Sequence, residues 1–398
     1  MGYTRGCLIY KQKNISKRVN ALLWAIIDDG VNINTPAIKQ SIEISEFGIA
    51  KMRTTTASLS HATICYSIVE LYVKSIHPVI SIKILDEETQ RCQIGALVTA
   101  FNWCIENKIG LIHLSIGTIE PHHFNIVIGA IDRLVASGTV IVAANSNKGV
   151  QTYPAFDHRV ISVECSSNLV NNQFIYTPNA LNRVKYRASS RHNLRVNTSH
   201  ATTPLSNSYA APVITAEILN SVPCGGNISL NETHKLLQRK ALCTDTHVLY
   251  NIPHVQLSAI IISITGQNEQ TIASQMIELN KLLIRDGYTC SLLSDRSSSL
   301  HEVIVIPTGI SLKKYLFWAR RFYVSDVVIV ALTSGNELEL AKLSDLVISD
   351  RTVIDDDEKP LYSGNVLSRY NSTGDVKKTT EVYTEVLIAL GAEEMQNN

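Results

Sequence analysis

The chain of 398 residues is long enough for two or three domains, and its 45% hydrophobic and 18% charged content is typical of a globular protein. The net charge of +1 and the absence of a Lys/Arg run with interleaved aromatic residues argue against a nucleic-acid partner. No apolar run reaches the roughly 20 residues of a membrane helix and no signal-peptide pattern precedes Lys11, so we expect a cytoplasmic protein without a membrane partner.

Strand-like and helix-like segments alternate along the first half of the chain. Short apolar runs predict strands at 22–27, 79–85, 111–114 and 140–144, and longer runs predict helices at 62–75, 94–107 and 124–136. Such alternation is typical of a parallel sheet covered by helices on both faces. We therefore predict a doubly wound, parallel α/β domain over residues 1–222.

The alternation weakens and then resumes, which predicts a second domain. Residues 223–256 are rich in Pro, Gly, Asn and Thr, and they read as a connector with one short helix near 232–242. Beyond it, strands are predicted at 257–264, 288–293, 303–306, 326–332 and 346–348, with helices at 269–286, 311–323, 337–343 and 379–390. Residues 257–398 are thus expected to form a smaller α/β accessory domain.

The first strand–helix junction of this second domain has the topology of a phosphate-binding loop. The G-x-x-x-x-G-K-[ST] motif that begins at Gly266 would require glycine and lysine where Thr271 and Ile272 stand. Without the lysine we expect no nucleotide hydrolysis. A P-loop-like binding or docking domain and a purely structural domain both remain open.

Three separated segments contain the residue types of a serine hydrolase, in the order Asp, His, Ser. Asp28 closes an apolar strand, His61 precedes a predicted helix, and Ser208 precedes Ala-Ala-Pro and another helix. A serine hydroxyl becomes a good nucleophile when an imidazole removes its proton, and a carboxylate must orient that imidazole. A strand-end Asp alone would usually cap a turn, which is our interpretation of Asp29. The three segments together favour catalysis.

These segments resemble the subtilisin family of serine proteases, whose triad has the same chain order. Three further segments are similar to that family. Residues 111–117 resemble the strand ending in Ser-Leu-Gly that pairs with the substrate backbone, 138–147 resemble the strand that delivers the oxyanion-hole asparagine, and 153–163 resemble the loop and strand that follow. The resemblance extends over about 220 residues and implies a subtilisin-like fold.

The resemblance also implies a function and a set of site residues. It identifies the protein as a serine endopeptidase that acts on a peptide or protein and needs no cofactor. The catalytic residues would be Asp28, His61 and Ser208, the oxyanion donor Asn147, and the substrate-binding residues Ser115, Ile116 and Gly117. Subtilisin-like proteases that trim leader peptides from ribosomally made, modified peptides look similar in their compact catalytic region, which suggests selective processing.

Two departures from the family pattern leave an alternative open. Ala62 and Ser206 stand where the family has glycine, and a glycine lost from a tight backbone can displace the nucleophile. A pseudoprotease that binds peptides without cutting them is therefore the rival hypothesis. In the oxyanion segment both Asn145 and Asn147 are candidates, and the spacing from Gly149 favours Asn147.

No metal site is predicted. His122 and His123 have no third ligand at a suitable spacing, and the eight cysteines contain no C-x-x-C pair. Cys65, one helical turn beyond His61, is interpreted as a buried packing residue. The sequence carries no signal for an oligomeric state.

Overall fold

The computed structural model describes residues 21–33, 35–45, 48–51, 59–86, 88–196, 199–222, 228–245, 259–266, 269–296, 303–332, 340, 343–349, 366–369, 383 and 386–387. The strands are β1 (Trp24–Asp28), β2 (Ile38–Ser45), β3 (Gly48–Lys51), β4 (Val79–Lys83), β5 (Leu111–Leu114), β6 (Val140–Ala144), β7 (Ile161–Cys165), β8 (Phe174–Tyr176), β9 (Tyr186–Ala188), β10 (Asn193–Val196), β11 (Ser199–Thr202), β12 (Ile260–Thr265), β13 (Cys290–Ser294), β14 (Val303–Val305), β15 (Val327–Leu332), β16 (Leu346–Ser349) and β17 (Val366–Arg369). The helices are α1 (His61–Tyr72), α2 (Ile94–Glu106), α3 (Phe124–Ala136), α4 (Asn207–Leu219), α5 (Leu230–Lys240), α6 (Glu269–Arg285) and α7 (Leu312–Phe322).

The first sheet has nine strands in the order β3-β2-β4-β1-β5-β6-β7-β9-β8. Its seven central strands are parallel, as the alternation predicts, and β1 lies between β4 and β5. The prediction of a wholly parallel sheet is wrong at both edges, where β3 and β8 pair antiparallel. Both edge pairs join neighbouring segments of chain, and a short connection can return a strand only in the antiparallel sense. The sheet is therefore mixed and mostly parallel.

Helices cover both faces of this sheet. Within β1, Ala25 and Ile27 face the core under α2 and α3, whereas Trp24 and Ile26 face the core under α1 and α4. Successive strand side chains point to opposite faces, so a strand buried on both faces needs a continuous apolar run. This is why the β1 segment is apolar up to Asp28 and the catalytic candidate comes at its carboxyl end.

The second sheet has six strands in the order β14-β13-β15-β12-β16-β17, all parallel. Ile262 and Ile264 of β12 pack against α6, while Ile261 lies in the core that contains α7. The predicted strands and helices that lie within the described residues are confirmed here to within a few residues. The helices predicted at 337–343 and 379–390 lie mostly outside the described residues.

The two sheets share an apolar core through α7. Phe156 follows the 151–155 loop of the first sheet, and its ring centroid lies 5.4 Å from that of Phe322 and 6.1 Å from that of Tyr323. The Gln151 N–H donates to the Phe322 carbonyl at 2.9 Å. The second sheet thus supports a loop of the first, a contact that the sequence does not predict. The domain boundaries stay predictions, because the chain on either side of 228–245 lies outside the described residues.

Three findings concern other classes of site. No helix in the described ranges is both long and apolar enough to cross a bilayer. Those ranges also contain no group of three or more His, Cys, Asp or Glu side chains placed to hold a metal ion. Six cysteines in the same part of the chain are free thiols, among them the buried Cys65.

Candidate active site

Asp28 and His61 form a buried pair at the carboxyl end of β1. Asp28 is fully buried, and its Oδ2 lies 3.0 Å from His61 Nδ1. Its Oδ1 accepts the Asp29 N–H at 2.9 Å. A carboxylate in this position holds the neutral imidazole with its proton on Nδ1, which leaves Nε2 free to accept a proton. The pair therefore has the geometry that a general base requires.

Asp29 positions His61 by capping helix α1. Its Oδ2 accepts the His61 N–H and its Oδ1 accepts the Ala62 N–H, both at 2.8 Å. Burial and the neighbouring Asp28 raise the pKa of Asp29. From the sequence, Asp29 is interpreted as a turn residue. Its capping role is not predicted, because Asp29 and α1 are brought together only by the fold. The one available signal is that acidic side chains favour helix N-termini.

Ser208 lies in the first turn of α4, which begins at Asn207. Backbone N–H groups in a first turn have no intrahelical acceptor, and they form the positive end of the helix dipole. Ser206 precedes the helix with φ −157° and ψ 144°, an extended conformation that any residue adopts. Ala62 lies in a helix, where glycine is not needed. The two lost glycines therefore introduce no backbone strain.

The fold brings Ser208 next to His61. Cys65 Sγ lies 4.0 Å from both ring nitrogens of His61 and donates to the Ser208 carbonyl at 3.5 Å. The ring of Tyr209 lies 5.4 Å from that of His61. Between the described Ser208 hydroxyl and His61 there is no hydrogen bond in the structure.

The two candidate oxyanion asparagines have different surroundings. Asn145 is buried, and its Nδ2 donates to the buried carboxylate of Glu164 at 2.7 Å. Asn147 lies in the loop after β6 and contacts the start of α4. Its Oδ1 accepts the Asn207 N–H at 2.9 Å, and its Nδ2 donates to Ser206 Oγ at 3.2 Å. An amide nitrogen has two N–H groups, so one remains for an oxyanion. The Asn145 amide is bound to Glu164 in the interior, so Asn147 is favoured as the oxyanion donor.

Asn207 links the 145–147 loop to the helix that carries Ser208. Its Nδ2 donates to the carbonyls of Asn145 and Ser146, both at 3.1 Å, and its Oδ1 accepts the Cys165 N–H at 2.8 Å. This side chain therefore uses both donors and an acceptor to hold the 145–147 segment beside the start of α4. No pattern in the sequence singles it out.

Ser115, Ile116 and Gly117 follow β5 at the same edge of the sheet. The Ser115 hydroxyl donates to the Ser208 carbonyl at 3.3 Å, so this side chain contacts α4. A Cβ atom on Gly117 would lie 2.7 Å from the Tyr153 carbonyl oxygen, which explains why glycine occupies this position.

The charge at His61 is coupled to its neighbours. Burial lowers the pKa of the imidazole, but the hydrogen bond and the charge of the Asp28 carboxylate oppose burial, and the pKa of His61 is raised. Burial raises the pKa of the Cys65 thiol, which therefore stays protonated. His113, fully buried on β5, differs from His61. Burial lowers the pKa of His113 to about 4, and the nearby charges of Asp28, which raises it, and His61, which lowers it further, are smaller influences. His113 is therefore neutral over the pH range in which His61 gains or loses its proton.

Among the comparisons with known proteins, matches are found with solved structures. No protein-family model and no curated protein matches the chain. A cold-adapted subtilisin-like serine proteinase matches with 14% identity and a TM-score of 0.42, over 55% of this chain and 81% of that chain. A lanthipeptide protease matches with 14% identity and a TM-score of 0.44, over 56% of this chain and 80% of that chain. A prenylagaramide maturation protease matches with 16% identity and a TM-score of 0.36, over 55% of this chain and 78% of that chain. The chain is thus similar in structure to subtilisin-like proteases, at low sequence identity.

Proposed function

We propose that the protein is a serine endopeptidase that hydrolyses peptide bonds with Ser208, His61 and Asp28. The observation that carries this proposal is the buried Asp28–His61 pair, with 3.0 Å between Oδ2 and Nδ1, beside a serine in the first turn of a helix. A buried carboxylate that orients an imidazole next to a serine at a helix N-terminus is the arrangement that activates a serine nucleophile.

The reaction begins when His61 Nε2 takes the Ser208 hydroxyl proton as Oγ attacks the scissile carbonyl. Asp28 stabilises the imidazolium that forms. The tetrahedral oxyanion accepts hydrogen bonds from the Ser208 backbone N–H and from Asn147 Nδ2. His61 then gives its proton to the leaving amine, and the acyl-enzyme remains on Ser208. Water, deprotonated by His61, hydrolyses the ester and releases the acid.

The substrate would lie along the backbone of residues 115–117. An extended peptide adds its main-chain hydrogen bonds to such a segment, so this part of recognition is independent of sequence. We further propose that the enzyme processes a selected peptide or protein, such as a leader peptide, instead of degrading proteins in bulk. Two structures similar to this chain are named as a lanthipeptide protease and a prenylagaramide maturation protease.

A fluorophosphonate probe tests the proposal directly, because it modifies a serine that a base has activated. We expect the wild-type protein to label at Ser208 and to cleave members of a peptide library, with the products read by mass spectrometry. In Ser208→Ala both activities should be lost, with a fall in kcat of about 10⁶ for a triad serine. An unlabelled, folded wild-type protein that still binds peptides would support the pseudoprotease alternative. The unstrained Ser206 and Ala62 favour the active enzyme.

We propose that the second sheet, although a strand–helix junction at β12 resembles that of a phosphate-binding loop, does not hydrolyse nucleotides. β12 is central in this sheet and leads into α6, as in a phosphate-binding loop, but α6 begins with the carboxylate of Glu269. A negative side chain in the first turn opposes a bound phosphate there. Residues 267 and 268 of this junction lie outside the described residues. Phosphate release from ATP or GTP by the intact protein, above that of a boiled control, would contradict the proposal.

A further inference from the structure

The carbonyl oxygen of Ser208 lacks its usual helical partner. In an α-helix this oxygen would accept the N–H of the residue four positions later, which in α4 is Pro212. Proline has no N–H, so the helix cannot satisfy the carbonyl of its own nucleophile. Two side chains from other elements donate to it instead, the Ser115 hydroxyl at 3.3 Å and the Cys65 thiol at 3.5 Å.

The Ser115 hydroxyl is in turn held by a buried histidine. His113 Nε2 lies 3.2 Å from Ser115 Oγ, and His113 Nδ1 lies 2.8 Å from Thr215 Oγ1. A hydroxyl has one proton, so Ser115 can donate to Ser208 only while it accepts from His113. This requires the proton of His113 on Nε2, and Nδ1 then accepts the Thr215 hydroxyl. In this tautomer the Ser208 carbonyl has two donors. In the other tautomer, Thr215 donates to the Ala211 carbonyl at 3.3 Å and the Ser115 proton goes to His113 Nε2, which leaves the Ser208 carbonyl with Cys65 alone.

The two ends of this chain of bonds lie on the same helix. Thr215 is two turns beyond Ser208 in α4, and His113 and Ser115 are two residues apart at the end of β5. His113 and Thr215 are fully buried, so no water competes for the bond between them, whereas Ser115 and Ser208 are partly exposed. His113 therefore fixes the position of α4 against β5 at two points, one of which is the carbonyl of the nucleophile.

We propose that His113 is a positioning residue that, through Ser115, holds the Ser208 backbone in register with His61. This inference rests on the proposed function. Without the imidazole the Ser115 proton is free to turn to other acceptors, and the Ser208 carbonyl keeps Cys65 alone. The nucleophile then shifts relative to its base, which slows the chemical step more than it weakens binding, because a displacement of about 1 Å can cost about 10² in rate.

The test measures fluorophosphonate labelling of the intact protein as a function of probe concentration, to separate the maximal rate from the probe affinity. In His113→Leu the maximal rate should fall by up to about 10²-fold with little change in affinity. His113→Gln keeps an N–H donor near the place of Nε2 and should recover most of that rate. His234→Leu is the matched control, since His234 bonds the Tyr186 hydroxyl at 2.9 Å away from the site and its loss should leave labelling unchanged.

A double-mutant cycle covers the case in which His113→Leu fails to fold. Ser115→Ala removes only a hydroxyl and should slow labelling to a similar extent. In the Ser115→Ala background, His113→Gln should then cause no further loss of labelling rate, because the hydroxyl through which His113 acts is already gone. Equal rates for folded His113→Leu and His113→Gln, or full activity in Ser115→Ala, would overturn the positioning role alone. A wild-type protein that does not label would overturn the proposed function and the positioning role with it.

Discussion

The central strands of the two sheets end differently. β1 ends at Asp28, whose two carboxylate oxygens are paired with His61 and the Asp29 N–H. β12, also central and parallel, ends at Thr265, whose buried hydroxyl has no hydrogen-bond partner within the described part of the structure. Both strands are apolar runs followed by a polar residue and both are flanked by parallel neighbours. They differ in what other elements bring to the strand end.

The difference shows that strand ends become sites only where other segments meet them. At β1, helix α1 brings His61, and α4 brings Ser208 within reach of Cys65 and Ser115. At β12, α6 and α7 are used for packing, with Ile272 and Met276 on one side and Leu316 and Trp318 on the other. The first sheet therefore carries the candidate chemistry, and the second contributes a buried core.

Replacing Asp28 should have the largest effect that separates the two strand ends. Asp28→Asn keeps the shape of the side chain, but its amide favours the wrong imidazole tautomer, so we expect kcat for peptide cleavage to fall by about 10⁴. Steady-state cleavage and fluorophosphonate labelling both measure the loss. Activity within a few-fold of wild type would remove Asp28 from the triad.

Thr265→Val is the matched change at the end of β12. It replaces an unpartnered, buried hydroxyl with a methyl group of similar size, which should leave cleavage unchanged and stability equal or slightly higher, because no hydrogen bond is lost. A clear loss of stability would mean that Thr265 has a partner and that the two strand ends are more alike than they appear.

The next largest effect is expected at Asn147. Asn147→Ala should lower kcat by about 10²–10³ with little change in KM, because its bond to the oxyanion forms in the transition state. Asn145→Ala should act on stability, costing about 1–3 kcal/mol, because it leaves the Glu164 carboxylate with one donor fewer in the interior. Kinetics and denaturant unfolding of the two variants separate these roles, and a larger kcat loss in Asn145→Ala would exchange them.

Phe322 tests whether the second sheet supports the first. Phe322→Ala should destabilise the protein by about 3–5 kcal/mol and reduce cleavage, because its ring packs on Phe156 next to the 151–155 loop. Phe317 is the control on the same helix, where the side chain is 49% exposed, and Phe317→Ala should change stability by about 0.5 kcal/mol or less. Chemical unfolding measures the stability of the two variants, and a peptide cleavage assay measures their activity. Equal, small effects would mean that the sheets act independently.

The smallest effect expected is a shift in pH dependence. His61 must be neutral to accept the serine proton, and its pKa is raised above the ordinary 6.5, so kcat/KM should rise with pH along a limb that lies above that value. Asp28→Asn should move the limb down. Because the pKa of His61 is higher in the folded than in the unfolded state, its protonation stabilises the fold at pH values below the unfolded-state pKa. This stabilisation is lost as the pH rises through the folded-state pKa. The difference in the free energy of unfolding between wild type and Asp28→Asn should therefore shrink with rising pH. A wild-type limb at or below 6.5 would contradict this.

Sequence patterns predict most elements of both sheets because apolar periodicity reports burial directly. The strand at 111–114 and the helix at 124–136 are reproduced residue for residue. The edge strands β3 and β8, and β2 next to β3, are missed, because a strand exposed on one side mixes polar and apolar residues. Of the site, the candidates Asp28, His61 and Ser208 come from the sequence order, and Asn147 comes from spacing.

The tertiary structure decides which groups touch. Asp29 caps α1 across 32 positions of the chain, and His113 bonds to Thr215 across 102 positions. A local pattern cannot reveal such contacts, because each depends on where two distant strands and helices are placed by the packing of the whole core. The sequence by itself determined the elements and the chemical types at their ends, since burial period and turn chemistry are local. The partners of those ends were decided by the fold, since hydrogen bonds between distant segments exist only after the core has formed.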